Sequence, residues 1–302
     1  MIRALCIGHA SYDISIVVDE YPKENTKSRF INKIGCGGGP AANCAYMLAK
    51  WGVGTTFAGV IGNDIFGNRI KKEFDSVKID TRYIETSFEK DTTISFIIIN
   101  KQNASRTLFN VADEYVKLKK YDYDFAPDLI MVDGHDPYAS KVTIQKFPKA
   151  ISVIDAGRVT PEILELCKLV KYIVCSKEFA EKVTGQAIDF NNSATLANAY
   201  YKLKAKYPHA DIVITLENQG ALYCLNNQIK VSPALKLPVV DTTGAGDIFH
   251  GAFCYIIANG GDIEKAVKYG NIAAGLSLSK IGTRLSIPSL EEVEKLYVQN
   301  YE

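Results

Sequence analysis

Charge imbalance is almost missing from this chain: 35 lysines and arginines stand against 34 aspartates and glutamates, a formal net charge of +1 over 302 residues. No global field therefore draws it to nucleic acid or to an anionic membrane. No apolar run approaches the roughly 20 residues that cross a bilayer. Met1 to Gly8 has too short an apolar run and no processing site for a secretory signal, so it reads as a first strand, and a cytoplasmic protein is expected. There is no Cys-x-x-Cys. The seven cysteines are odd in number and scattered through apolar contexts, and the four histidines have no metal-ligand spacing. Neither a disulfide framework nor a thiolate or imidazole metal centre organises such a chain. Gly-x-x-x-x-Gly-Lys-Ser/Thr does not occur, which excludes a P-loop kinase, and neither glycine cluster has the Gly-x-Gly-x-x-Gly spacing of a dinucleotide fold. Repeats, linkers and low-complexity segments are lacking too.

What is present is 47% hydrophobic residues, enough for one large α/β core with a small appendage. Short apolar runs at Ala4 to Ile7, Thr55 to Val60, Leu129 to Val132, Ile151 to Ile154, Tyr172 to Cys175 and Ile212 to Leu216 read as core strands. Amphipathic stretches at Ala41 to Trp51, Phe66 to Asp75, Pro161 to Leu169, Lys177 to Thr184 and Ser193 to Lys206 read as helices between them. This alternation predicts a three-layer α/β domain around a mainly parallel sheet, closed by a solvated helix from Leu290 to Glu302. Residues 14–34 and 92–109 interrupt it with strand-like, polar-interleaved sequence and no helical period, so they are expected to form a small β lid over the ligand cleft. The main domain then comprises residues 1–13, 35–91 and 110–302.

The segment from Val239 to Phe253 carries the chemistry. A β-branched pair runs into Thr242-Thr243-Gly244-Ala245-Gly246, Asp247 follows at once, and a helical apolar pattern takes over. Glycines let backbone N–H groups approach an oxyanion, and the starting helix presents its unpaired first-turn N–H groups and positive dipole end to the same point. Asp247 beside such a hole is unfavourable unless it takes a proton from a substrate hydroxyl while the amides hold a phosphoryl group. A lone Gly-x-Gly-Asp is equally consistent with an ordinary first-turn acid.

With its flanks, Asp241 to Asp247 followed by Phe249-His250-Gly251-Ala252 resembles the C-terminal signature of the ribokinase-like, or PfkB, carbohydrate kinases. That resemblance implies the ribokinase-like fold, Asp247 as base, and an anion hole from Gly244, Ala245 and Gly246. It implies ATP and Mg²⁺ as cofactors, and K⁺ beside the turn through Asp241 and Thr243. A second cluster, Gly35 to Ala45, is by itself a strand-to-helix turn with Pro40 in the first helical position. Together with Asp13 it resembles the family's N-terminal signature, which implies that Asp13, Gly38, Gly39 and Asn43 hold sugar hydroxyls. A carboxylate and an amide suit a polyol.

Within the family the chain resembles the ketohexokinase and sulfofructose kinase branch, through Lys27, the triple glycine before Pro40, Asn103 to Thr107, and Ser176-Lys177-Glu178. Arg106 and Lys27 then become candidate contacts to phosphate or an anionic substrate group. By the same resemblance Gly220, Ser176, Asn271 and Gly246 lie along the nucleotide. Pro40 stands where ribokinases and sugar-phosphate kinases of the family usually carry Lys, which speaks against a tagatose-phosphate or fructose-phosphate kinase. The family's Asn-x-x-Glu appears as Ser176-Lys177-Glu178-Phe179, which leaves Glu178 as a stand-in toward Mg²⁺ through water. His135 stands where the two branch relatives carry Arg. The expectation is an ATP-dependent monosaccharide kinase, forming a homodimer through the lid. A nucleoside kinase on the same scaffold and a non-catalytic sugar sensor are the alternatives.

Overall fold

The computed structural model describes residues 2–111 and 116–302; residues 1 and 112–115 of the expected main domain lie outside them. In chain order the elements are β1 (Arg3–Ile7), β2 (Ser11–Val18), β3 (Asn32–Gly38), α1 (Pro40–Lys50), β4 (Gly54–Gly62), α2 (Ile65–Ser76), β5 (Asp80–Ser87), β6 (Ile94–Asn100) and β7 (Arg106–Val111). There follow β8 (Leu129–Val132), α3 (Pro137–Lys146), β9 (Ile151–Ala156), α4 (Pro161–Leu166), β10 (Tyr172–Ser176), α5 (Lys177–Thr184), α6 (Ser193–Lys206) and β11 (Asp211–Thr215). The chain closes with β12 (Ala221–Leu225), β13 (Gln228–Ser232), α7 (Ala245–Ala258), α8 (Ile263–Ser277), α9 (Thr283–Ser286) and α10 (Leu290–Tyr301).

Nine strands make one sheet in the order β13-β12-β11-β10-β9-β8-β1-β4-β5. Pairings from β11 through to β5 are all parallel, and β12 runs antiparallel to both its neighbours. Side chains alternate across a strand, and here both faces are buried. Ala4 and Cys6 of β1 join a core with Met47 of α1, Phe253 of α7, Val267 of α8 and Val293 of α10. Leu5 and Ile7 join a second core with Ile144 of α3, Leu166 of α4, Phe179 of α5 and Leu203 of α6. The continuous apolar runs of the strands follow from this double cover, and the three-layer expectation holds.

A second sheet of order β3-β2-β6-β7 stands apart from the first. β2 pairs antiparallel with β3 and parallel with β6, which pairs antiparallel with β7. It begins at Ser11 and reaches Gly38 and Val111, wider than the expected 14–34 and 92–109, so the strands themselves carry Asp13 and Gly38 to the cleft. Asp64 fixes its root: Oδ1 caps α2 by accepting from the N–H groups of Phe66 and Gly67, each at 2.8 Å, and Oδ2 accepts from Thr92 N at 2.6 Å, just ahead of β6.

Candidate active site

Between β8 and β1 the chain reverses its direction of travel across the sheet, since β1 is followed outward by β4 and β5 and β8 leads the other way. Ligands of open α/β sheets settle at such a switch point, beyond the carboxyl ends of the strands. There lies a cavity of about 460 Å³, with Asp13, Gly39, Arg106, Gly244, Asp247 and Thr283 in its wall. Asp133, just past β8, ties its rim together. Oδ2 accepts from the N–H groups of His9 (2.8 Å) and Ala41 (3.2 Å), and Oδ1 from that of His135 (2.9 Å). Gly8 admits this carboxylate, because a Cβ there would stand 2.1 Å from Asp133 Oδ1.

Two helices begin at the cavity wall without a capping side chain on the N-cap residue. Among the described helices of eight residues or more, only α1 and α7 lack a side-chain N-cap, and their N-cap residues are Gly39 and Gly244. First-turn N–H groups have no intrahelical carbonyl to bond; Ala41 N–H of α1 is taken by Asp133 and Ala245 N–H of α7 lies 3.4 Å from Thr242 O, so Gly246 and Asp247 of α7 supply the amides available to a ligand. Gly244 takes a left-handed φ of 73°, and a Cβ there would fall 2.1 Å from Thr283 Cγ2. A Cβ on Gly246 would meet nothing within 4 Å, so that side of the turn is open. Thr283 Oγ1, buried at the same wall, has no hydrogen-bond partner among the described residues.

Asp247 projects from the first turn of α7 to the cavity floor. Burial, then the nearby Asp155 carboxylate, push its carboxyl up to about 7, against the pull of the Asn43 bond and of His250. Asn43 donates from Nδ2 to Asp247 Oδ2 at 2.6 Å and accepts at Oδ1 from Arg284 Nε at 3.2 Å. Arg284, 3% exposed, pairs through Nη1 with Glu73 at 2.7 Å, and both Glu73 oxygens accept from Gly37 N. A line of contacts thus runs from α2 and the end of β3 to the acid that a kinase would use as base. A carboxyl poised near neutral pH beside open amides suits proton abstraction from a hydroxyl.

A family model described as pfkB family carbohydrate kinase matches residues 1–290. The chain belongs to that family. It is 29% identical to a ribokinase of Staphylococcus aureus (strain COL) over 306 residues, spanning 97% of this chain and 99% of that one. It is 22% identical to a nucleoside kinase of Methanocaldococcus jannaschii over 304 residues, 97% of this chain and 96% of the other. Among solved structures, Arabidopsis thaliana ribokinase complexed with ribose and ATP superposes with a TM-score of 0.78 at 19% identity, covering 98% of each chain. This PfkB protein is therefore an ATP-dependent phosphotransferase with the ribokinase-like fold. These relatives do not show the ketohexokinase and sulfofructose kinase branch that its sequence resembles.

The structure brings most expected residues of this PfkB kinase to one place. Asp13 lines the cavity, accepts from Ser11 Oγ at 3.0 Å, and is raised above the usual carboxylate range by burial. Gly38 packs against it, since a Cβ there would stand 2.2 Å from Asp13 Oδ2. Arg106, at the start of β7, lines the cavity and donates from Nη1 to Thr242 Oγ1, so the second sheet touches the turn that enters α7. Asn43 is turned to Asp247 and Arg284, behind the cavity wall. Asp241 accepts from Thr243 N (2.9 Å) and Oγ1 (2.6 Å) at Oδ1, and from Gly282 N (3.1 Å) at Oδ2.

Others stand elsewhere. Lys27 is exposed between β2 and β3 and does not line the cavity. Glu178 is exposed on α5 and pairs with Lys182 at 2.5 Å, away from the cavity lining, because position 178 falls on the outer face of α5 while Phe179 enters the core. Ser176 caps α5 by accepting from Phe179 N at 3.1 Å. Gly220 and Asn271 converge on the end of β13: a Cβ on Gly220 would collide with Ser232 O, and Asn271 Nδ2 donates to that oxygen at 2.9 Å. Sequence reasoning missed Asp133, Asp155, Arg158, Arg284 and Glu73. Their types and spacing carry no local signal, because only the fold places β8, β9, α2 and α9 around one cleft.

Proposed function

We propose that this chain transfers the γ-phosphate of ATP to a hydroxyl of a monosaccharide. Asp13 and the backbone at Gly38 and Gly39 hold the sugar, Asp247 takes the hydroxyl proton, and the amides of Gly244, Ala245 and Gly246 hold the transferring group. The observation that carries this reading is Asp247 itself: an acid raised to about 7 at the floor of a cavity, between open first-turn amides and a second buried acid, Asp13. Arg106 is placed to meet phosphate charge from the lid side.

No group of three His, Cys, Asp or Glu side chains converges as a metal cage among the described residues. Mg²⁺ in phosphoryl transfer is commonly held by the nucleotide's own phosphates with few protein ligands, which this site fits. For K⁺ the fit is local. Asp241 is 2% exposed, its bonds are to N–H and O–H groups, and a buried carboxylate so held is suited to a monovalent cation shared with Thr243. Gly220, Ser176, Asn271 and Gly246 remain the proposed nucleotide side. The lid exposes Phe96, Leu108 and Phe109, and a homodimer that covers them is part of this reading, as is action in the cytoplasm.

A nucleoside needs a wall for its base. Among the described residues, those lining the cavity include the His9 and His135 rings, 4.3 Å apart, but no Phe, Tyr or Trp, which favours a sugar. Calorimetric titration with pentoses, ketohexoses and adenosine, each in the presence of a non-hydrolysable ATP analogue, tests the choice. Sugar binding without adenosine binding is expected; tight adenosine binding with no sugar signal contradicts the sugar reading.

A further inference from the structure

His250 lies on α7 one turn beyond Asp247 and is 4% exposed. Its Nδ1 is 2.7 Å from the carbonyl oxygen of Gly246, and its Nε2 is 3.2 Å from the carbonyl oxygen of Val174 on β10. Asp155 Oδ2, from β9, stands 3.5 Å from Nδ1. Carbonyl oxygens only accept, and a neutral imidazole has one N–H, so neutrality would set a ring lone pair against one of these oxygens. Turning the ring over would put carbons against both. Only the doubly protonated ring satisfies the two partners, and Asp155 supplies the countercharge.

We propose that His250 is a positioning residue kept as an imidazolium, which pins the anion-hole turn to the sheet and supplies the fixed positive charge that holds Asp247 ready as base. The pinning acts through one peptide unit: Gly246 C=O and Asp247 N–H share a plane, so fixing the carbonyl fixes the direction of that N–H. The charged groups around the ring come from every side. Asp155 faces it from β9, Asp247 from its own helix and Cys44 from α1, while Asp133 at the end of β8 acts on Asp155 and Cys44, Asp13 of β2 on Asp247 and Arg158 on Asp155. Burial opposes the imidazolium, but Asp155, the two carbonyls and Asp247 outweigh it and raise the ring above its ordinary value. In turn His250 lowers Asp247, which burial and Asp155 raise.

This inference rests on the kinase reading, and its test separates the two. The full chain labelled with ¹⁵N-histidine is followed by NMR from pH 6 to 9, with His250→Asn assigning one of the four histidines. The expected result is one histidine with both nitrogens protonated throughout, absent from the variant. A His250 signal that becomes neutral within that range overturns the proposal, and this readout needs no turnover. The second arm is the pH profile of kcat/KM. His250→Asn is expected to move the acidic limb upward by about one unit, so that the variant loses about sixfold more activity at pH 6.5 than at pH 8.5. His250→Gln keeps an N–H donor without the charge, and is expected to show the same displaced limb. A limb that stays at the wild-type pH in both variants overturns the electrostatic role.

Discussion

At the scale of single residues, Asp247 makes the sharpest predictions. As the proposed base it must act as a carboxylate, so with its carboxyl pushed up to about 7, kcat/KM should fall roughly tenfold per pH unit below that value and level off above it. Asp247→Asn should lower kcat by about 10²- to 10⁴-fold. The same change should strengthen the fold. An acid whose folded value lies above its unfolded one weakens the native state as the pH rises past the unfolded value, and the deficit is complete above the folded one. Thermal unfolding should therefore show Asp247→Asn more stable than the parent at pH 8, by at most about 4 kcal/mol, and equal to it near pH 3.5. Gly38→Ala should raise the sugar KM about tenfold or more with little change in unfolding temperature, since the added methyl displaces Asp13. Asp13, Gly39, Gly244 and Asp247 were legible in the chain because they sit in two contiguous motifs. Arg284 and Asp155 were not, for each reaches the cleft from a segment whose local sequence is ordinary, and the bond from Asn43 to Asp247 has no signature in the sequence because it joins two separate motifs.

At the scale of elements, the two helices whose N-cap residue is glycine, α1 and α7, start at the cavity, and those capped by their own N-cap side chain hold the frame. Asp64 joins α2 to the segment entering β6 with one carboxylate, and its hydrogen bonds to Thr92, Gly67 and Phe66 outweigh desolvation and hold it below the usual range. Asp64→Ala should cost about 1–2 kcal/mol in denaturant unfolding, and the loss should shrink as acid protonates Asp64 in the parent. Strand and helix positions were legible where the period was plain: β8, α5 and α6 match their expected ranges to the residue. The hairpin of β12 and β13 was passed over because its turn is Asn226-Asn227, both at positive φ, rather than the Asn-Gly that announces such turns. β5 escaped notice because it is half-buried at the sheet edge and has neither a continuous apolar run nor clean alternation. α4 stops at Leu166, short of the expected Leu169, with Cys167 as its cap.

At the scale of the whole molecule, the second sheet leaves Leu108 46% and Phe109 55% exposed on its edge strand β7. Light scattering at micromolar concentration should give a dimer, and Phe109→Glu should shift it toward monomer; a parent that is already monomeric removes the lid-to-lid assembly. Saturating ATP should raise the unfolding temperature, with about 2.7 kcal/mol of added stability at 100 times Kd. The central claim is a sugar kinase that uses Asp247 as its base. The most direct measurement is ADP production with MgATP and K⁺ across pentoses, ketohexoses, sugar acids and nucleosides, run beside Asp247→Asn. Turnover on a monosaccharide that the variant loses by at least a hundredfold is the predicted result; near-parental turnover by a folded Asp247→Asn, or turnover on nucleosides alone, would contradict it.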